Sequence, residues 1–98
     1  MVSNGLRGKE NPEQYVEKCR AAVDKYYAGR GEEFERINTF FADFNGNALQ
    51  FLGKGISEGL AVADEIVFMD DWEQYRGCMT EHFIAVQYGV KCVYLTSD

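Results

Sequence analysis

The sequence predicts an α/β protein: an open, mostly parallel sheet in a three-layer arrangement, with helices on both faces. Three observations predict it. Stretches with apolar residues at helical spacing alternate along the chain with short β-favouring runs. The run 65–69 carries Ile66, Val67, Phe68 and Met69 without a polar break, as a strand buried on both faces does. Glycine, proline and asparagine fall at the joints between these stretches.

Taken in order, residues 1–10 are polar, charged and glycine-bearing and read as a loop. Asn11 followed by Pro12 is a helix start, an N-cap with proline at the first helical position. Tyr15, Cys19, Ala22 and Tyr26 then recur at helical spacing, and the helix 11–29 should stop near Gly29 or Gly31. The stretch 34–41 holds Phe34, Ile37, Thr39, Phe40 and Phe41, which favour a strand, though its alternation is poor. After a loop at 43–47, Leu49, Leu52, Ile56 and Leu60 mark an amphipathic helix over 47–62, whose glycines 53, 55 and 59 suit close packing on a sheet. The strand 65–69 leads into a polar loop, 70–77. A helix over 78–88 carries Met79, Phe83 and Val86 on one face, with Gly89 placed to end it. A last strand spans 92–95. One domain, 1–98, accommodates all of this.

Composition narrows the function classes. The chain has 98 residues, 46% of them hydrophobic, and a net charge of −6, with a sequence pI near 4.7. An acidic surface repels phosphate backbones, so long nucleic acid is not an expected partner; a small anion in a locally positive pocket is still compatible. No apolar run approaches the ~20 residues of a membrane span. Met1-Val2-Ser3-Asn4-Gly5 lacks a signal core. The expected setting is cytoplasmic and off the membrane. Cys19, Cys78 and Cys92 are an odd number without metal-ligand spacing and read as reduced thiols. With a single histidine in the chain, neither a metal nor a cofactor is expected.

In open parallel sheets, ligands bind where the strands' carboxyl ends meet the following loops and helix starts. The edge formed by 65–69, 70–77 and the helix start is such a place. A helix beginning near Gly77 points free backbone N–H groups at a loop of acids and aromatics. Glu81, in the first turn of a helix 78–88, would be kept ionised by the dipole, and an ionised, fixed carboxylate is a competent nucleophile towards a sugar carbon. Trp72 or Tyr75 suits stacking on a flat base, with plain packing as the rival reading of Trp72. Arg76 suits a phosphate, or a surface ion pair. Asp70 and Asp71 end the strand, and one of them suits a general acid or ribose ligand. Cys78 reads as a small buried residue. His82 points about 100° away from Glu81 around the helix and reads as surface or packing.

These residues carry a resemblance. Leu52-Gly53-Lys54-Gly55-Ile56, Ala63-Asp64-Glu65-Ile66-Val67-Phe68-Met69, Trp72-Glu73, Arg76-Gly77-Cys78, Glu81-His82, Ala85-Val86 and Tyr88-Gly89-Val90 together look like a family of small proteins found in bacteria and their phages. That family is similar in turn to nucleoside 2-deoxyribosyltransferases. The resemblance covers about half of the chain. It implies a Rossmann-like (flavodoxin-like) sheet and a nucleoside, nucleotide or nucleotide-derived ligand. It also implies a nucleophilic glutamate at Glu81 and a site completed by a second subunit. Gly8-Lys9 matches the loop that follows the family's first strand and would border the ligand. No strand is legible before it, so the expectation is a fold truncated at the N-terminus, with the strand either upstream of Met1 or replaced by a partner chain. Unpaired strand groups then favour a homo-oligomer. Where the transferases often carry an acid before the helix-starting glycine, this chain has Arg76. Two function classes follow. One is an N-glycosidic-bond hydrolase or deoxyribosyltransferase-like enzyme. The other is a non-catalytic nucleotide-ligand or protein-binding module, such as a phage regulator or counter-defence factor.

Overall fold

The computed structural model describes residues 1–6, 8–31, 33–41 and 44–96. Arg7 of the expected N-terminal loop and Asp43 of the expected loop 43–47 lie outside the described residues. The described chain forms strand β1 (Val2–Ser3), helix α1 (Pro12–Gly29), helix α2 (Ala48–Glu58), strand β2 (Glu65–Phe68), helix α3 (Arg76–Gln87) and strand β3 (Lys91–Tyr94). Single 3-10 turns follow α2 at Leu60–Val62 and precede α3 at Trp72–Gln74. The strands make an open, wholly parallel sheet in the order β1-β2-β3.

The expected central strand is central. Alternation along β2 divides the core in two. Val67 and Met69 face α1, where they join Cys19, Val23, Tyr27 and Val93. Ile66 and Phe68 face the other way, onto Leu60 and Ala85, with Ile56 and Ile84 packed alongside. Helices therefore cover both faces, α1 on one and α2 with α3 on the other.

The caps explain the helix limits. Asn11 accepts the Gln14 N–H at the start of α1, with Pro12 in its first turn. Asn47 and Gln50 exchange side-chain bonds with each other's backbone N–H groups, a capping box that starts α2. At the end of α3, Gly89 takes φ of 74° and the Val90 N–H returns to the Ala85 carbonyl. That left-handed position is one where a Cβ is costly. Met79, Phe83 and Val86 do share a face of α3, but it is the outward one; Cys78, Glu81 and Ala85 are the residues turned to the sheet.

Two expectations about strands need correction. First, Val2–Ser3 is a strand, although too short to show a period in sequence. The Val67 N–H bonds the Met1 carbonyl and the Met69 N–H bonds the Ser3 carbonyl, so β1 lies beside β2 and Asn4–Leu6 follow from its carboxyl end. Second, 34–41 forms no regular element and joins no ladder. Helices α1 and α2 lie on opposite faces, so the chain between them must round the sheet, and 33–41 does so at the β1 edge. Side chains hold it there in place of ladder bonds. Asn38 Oδ1 accepts both the Phe40 N–H and the Arg20 guanidinium, Arg36 pairs with Asp24, and Thr39 Oγ1 donates to the Val2 carbonyl. An asparagine that satisfies local backbone competes with strand pairing. Gly59 makes the close approach possible: a Cβ there would sit 2.4 Å from Thr39 Cγ2.

Among the described residues, no helix is long and apolar enough to cross a membrane.

Candidate functional site

A cavity of about 530 Å³ opens where the carboxyl end of β1 faces the start of α3. Ser3 to Leu6 form one wall. Leu52 and Gly55 of α2 form another, and Tyr75 to Cys78 a third. Phe40 and Phe51 close the outer side with apolar rings, and Glu81 stands on the floor.

Glu81 is only 8% exposed. Helix α3 begins at Arg76, so Glu81 is its sixth residue, two residues deeper than the expected helix start at 78 placed it and past the first turn. Its Oε1 accepts the Ser3 hydroxyl at 2.8 Å. Its Oε2 lies beside Gly55, where an added Cβ would stand 3.7 Å away. The missing side chain at Gly55 thus leaves space in front of this oxygen. Burial, not the helix dipole, dominates the electrostatics: it pushes the carboxyl pKa up to about 6, and the Ser3 bond offsets part of the rise. The group is mainly ionised at neutral pH and gains its proton in mild acid.

Cys78 lies beside this pair and is buried. Burial pushes its thiol up to about 11 despite contact with Ser3, so it is a neutral wall residue. None of the three cysteines is bonded to another.

Tyr75, Arg76 and Gly77 line the cavity, as the sequence reading expected of ligand-binding residues. Tyr75 rests on the backbone of Gly5: a Cβ at Gly5 would meet the ring at 2.2 Å. This contact ties the loop after β1 to the loop after β2. Arg76 opens α3, its N-cap position, Tyr75, supplies no side-chain cap, and the first residues of the helix, Arg76 to Cys78, line the cavity.

Five expected site residues stand elsewhere. Trp72 packs into an aromatic cluster with its ring 5.0 Å from Phe68 and 4.3 Å from His82, and it does not line the cavity. His82 completes that cluster through a 2.7 Å bond between Nε2 and the Tyr94 hydroxyl, which agrees with its reading as a packing residue. Asp70 faces α1, where the Tyr15 hydroxyl donates to it at 3.5 Å. Asp71 is exposed in a left-handed turn with φ of 51°. Neither aspartate reaches the cavity wall. Gly8 is exposed, and Lys9 lies over the Tyr15 ring at 4.2 Å. Two loops account for this. In the loop after β1, Ser3 to Leu6 line the cavity and Gly8 and Lys9 lie beyond them, toward α1. In the loop after β2, Asp70 turns to α1 and the 3-10 turn at Trp72–Gln74 sets Trp72 against Tyr94 of β3, so the cavity is met from Tyr75 onward.

Sequence reasoning missed Ser3, Leu6, Phe40, Phe51, Leu52 and Gly55 as site residues. Phe40 and Phe51 lie in segments read there for secondary structure and packing, and Leu52 and Gly55 entered only through the helix pattern and the resemblance, with no site role. Among the described residues, no group of three or more His, Cys, Asp or Glu side chains converges as a metal site would. No model of a known protein family matches the chain, and no curated protein or solved structure does so either.

Proposed function

We propose that this chain acts on the N-glycosidic bond of a nucleoside or nucleotide, as a hydrolase or a deoxyribosyltransferase-like enzyme on a Rossmann-like (flavodoxin-like) fold, with Glu81 as nucleophile. One observation carries the reading. Among the described residues, Glu81 is the carboxylate in the lining of a mainly apolar cavity; it is buried, with one oxygen fixed by Ser3 and the other beside Gly55, which has no side chain to cover it.

In the proposed reaction, Glu81 Oε2 attacks the anomeric carbon. The carbon–nitrogen bond breaks, its electron pair leaves with the base, and the base gains a proton. Water then adds to the anomeric carbon and releases the carboxylate; in transfer, a second base takes the place of water. Ser3 holds the carboxylate in position and supports its ionised form. Tyr75, Phe40 and Phe51 offer flat surfaces to the base. Arg76 and the first N–H groups of α3 suit a phosphate on the sugar. Glu81 lies five residues further along the helix, roughly 7.5 Å by helical rise, about the reach from a 5′-phosphate to the anomeric carbon. Asp70 and Asp71 are not placed to protonate the base, so the proton comes from water at the open mouth.

The second reading is a non-catalytic module that holds a nucleotide-derived ligand. It is favoured by the lining of the cavity, where Glu81 is the one carboxylate among the described residues.

One experiment separates them. Wild type and Glu81→Gln are incubated with a panel of nucleosides and 5′-nucleotides, with released base followed by chromatography and binding by calorimetry. Base release by wild type, with binding but no release by the variant, supports the enzyme. Binding by both proteins without release supports the module. A panel that neither binds nor reacts overturns both readings.

A further inference from the structure

Helices α2 and α3 face each other at the cavity through two matched pairs of residues. Leu52 and Gly55 stand three apart on α2, and Gly77 and Glu81 four apart on α3, so each pair shares one helix face. Among the described residues, a Cβ at Gly55 would have one neighbour within 4 Å outside its own helix, Glu81 Oε2 at 3.7 Å. A Cβ at Gly77 would likewise meet Leu52 Cδ1 alone, at 3.8 Å. Each glycine therefore stands opposite a larger side chain of the other helix, and all four residues line the cavity.

Close packing, the role expected of the α2 glycines from sequence, accounts for Gly59 but not for this pair. At Gly59 there is no room for a Cβ, which would stand 2.4 Å from Thr39 Cγ2. Separations of 3.7 and 3.8 Å are ordinary van der Waals contact, so alanine fits at 55 and at 77 without moving either helix. Alanine would also favour the helix, since glycine loses more backbone freedom on folding. The physical effect of the two missing methyl groups is space along the cavity wall.

That space leads to an unused acceptor. Glu81 is more than nine-tenths buried and its Oε1 takes the Ser3 hydroxyl, but among the described residues nothing donates to Oε2. No fully enclosed side-chain oxygen among them lacks a partner, so Oε2 is not sealed in. Burial deepens along α3 in the same direction: Arg76 is exposed, Gly77 half-buried and Glu81 buried. Gly77 with Leu52 thus forms an outer step and Gly55 with Glu81 an inner one, about 6 Å further by helical rise.

We infer that Gly55 and Gly77 decide which ligands reach Glu81, by keeping open a passage between α2 and α3 that one methyl group at either position would narrow. The inference rests on the reading of this cavity as the ligand site. In the proposed reaction the anomeric carbon must come against Oε2, so the sugar passes Gly77 and fills the space over Gly55. Neither glycine takes part in bond making; both act by leaving room.

Three alanine variants test it. Gly55→Ala and Gly77→Ala narrow the passage. Gly53→Ala is the control, at a position of α2 where a Cβ would meet nothing within 4 Å and which does not line the cavity. All three are expected to fold with urea midpoints at or above that of wild type. Calorimetry with 2′-deoxyadenosine 5′-monophosphate and thymidine 5′-monophosphate is expected to show binding weakened roughly tenfold or more by Gly55→Ala and by Gly77→Ala, and unchanged by Gly53→Ala. A second readout needs no ligand. A methyl group beside Oε2 displaces water from it, so carboxyl-carbon NMR should titrate Glu81 at higher pH in Gly55→Ala than in wild type, and at the wild-type pH in Gly53→Ala. If wild type binds neither nucleotide, the reading of the cavity as a nucleotide site fails, and the NMR titration alone decides whether Gly55 keeps Oε2 open. The inference is overturned by a Gly55→Ala protein less stable than wild type or by an unshifted Glu81 titration. Nucleotide binding as tight in Gly55→Ala and Gly77→Ala as in wild type overturns it as well.

Discussion

The Ser3 hydroxyl donates to Glu81 Oε1 at 2.8 Å, joining the first strand to the third helix across 78 positions of sequence. Both residues are buried. The bond secures a carboxylate that burial makes costly to ionise. Its pKa rises from 4.5 to about 6, which corresponds to about 2 kcal/mol of lost stability once the group is charged.

The sign of the pH dependence follows. Between pH 4.5 and about 6 the folded chain binds more protons at Glu81 than the unfolded chain does. The contribution is therefore full below pH 4.5 and is lost as pH rises through about 6. Glu81→Gln removes this dependence. In urea titrations, its stability relative to wild type should improve by about 2 kcal/mol between pH 4.5 and pH 8. A difference that does not change with pH would show that Glu81 titrates normally.

Ser3→Ala deletes the bond that favours the ionised form, so the Glu81 pKa should climb by up to about one unit. If the chain is an enzyme, the acid limb of its base-release profile should shift upward by the same amount. Folding stability should fall by about 1 kcal/mol. A limb that stays in place, or moves toward lower pH, contradicts the role given to Ser3.

Gly5 and Tyr75 should act as a pair. Gly5→Ala puts a methyl group 2.2 Å from the Tyr75 ring and must displace it, at a cost of roughly 1–3 kcal/mol. Once Tyr75→Ala has removed the ring, the same change at Gly5 should cost little. The double-mutant cycle reads this directly. Additive effects would mean that the ring is not seated on Gly5.

Trp72→Ala should separate packing from binding. The ring packs on Phe68 and His82 away from the cavity, so its loss should cost roughly 2–3 kcal/mol in denaturant titrations. Nucleoside or nucleotide binding should be unchanged at temperatures where the variant is folded. A selective loss of binding would move Trp72 into the site.

The sequence alone determined the local elements that carry strong periodic or capping signals. Asn11-Pro12 began α1, the unbroken apolar run of β2 marked it as central and buried on both faces, and Gly89 ended α3. Glu81, Tyr75, Arg76 and Gly77 were also picked out from their place after a buried strand, because that placement depends on chain order. Tertiary structure decided what chain order cannot express. Two residues are too few to show a strand period, and Val2–Ser3 became a strand only because β2 offered it partners. The aromatic stretch 34–41 looked fit for a strand, yet it was drawn off the ladder by Asn38 and by its task of rounding the sheet. The environment of Glu81 was decided in the same way. Near the start of a helix its local field favours charge, but Ser3, Gly55 and the cavity walls converge on it from distant segments. Desolvation by those walls outweighs the dipole, since it acts on the whole charge of the carboxylate, whereas the dipole's partial charge fades within the first turn.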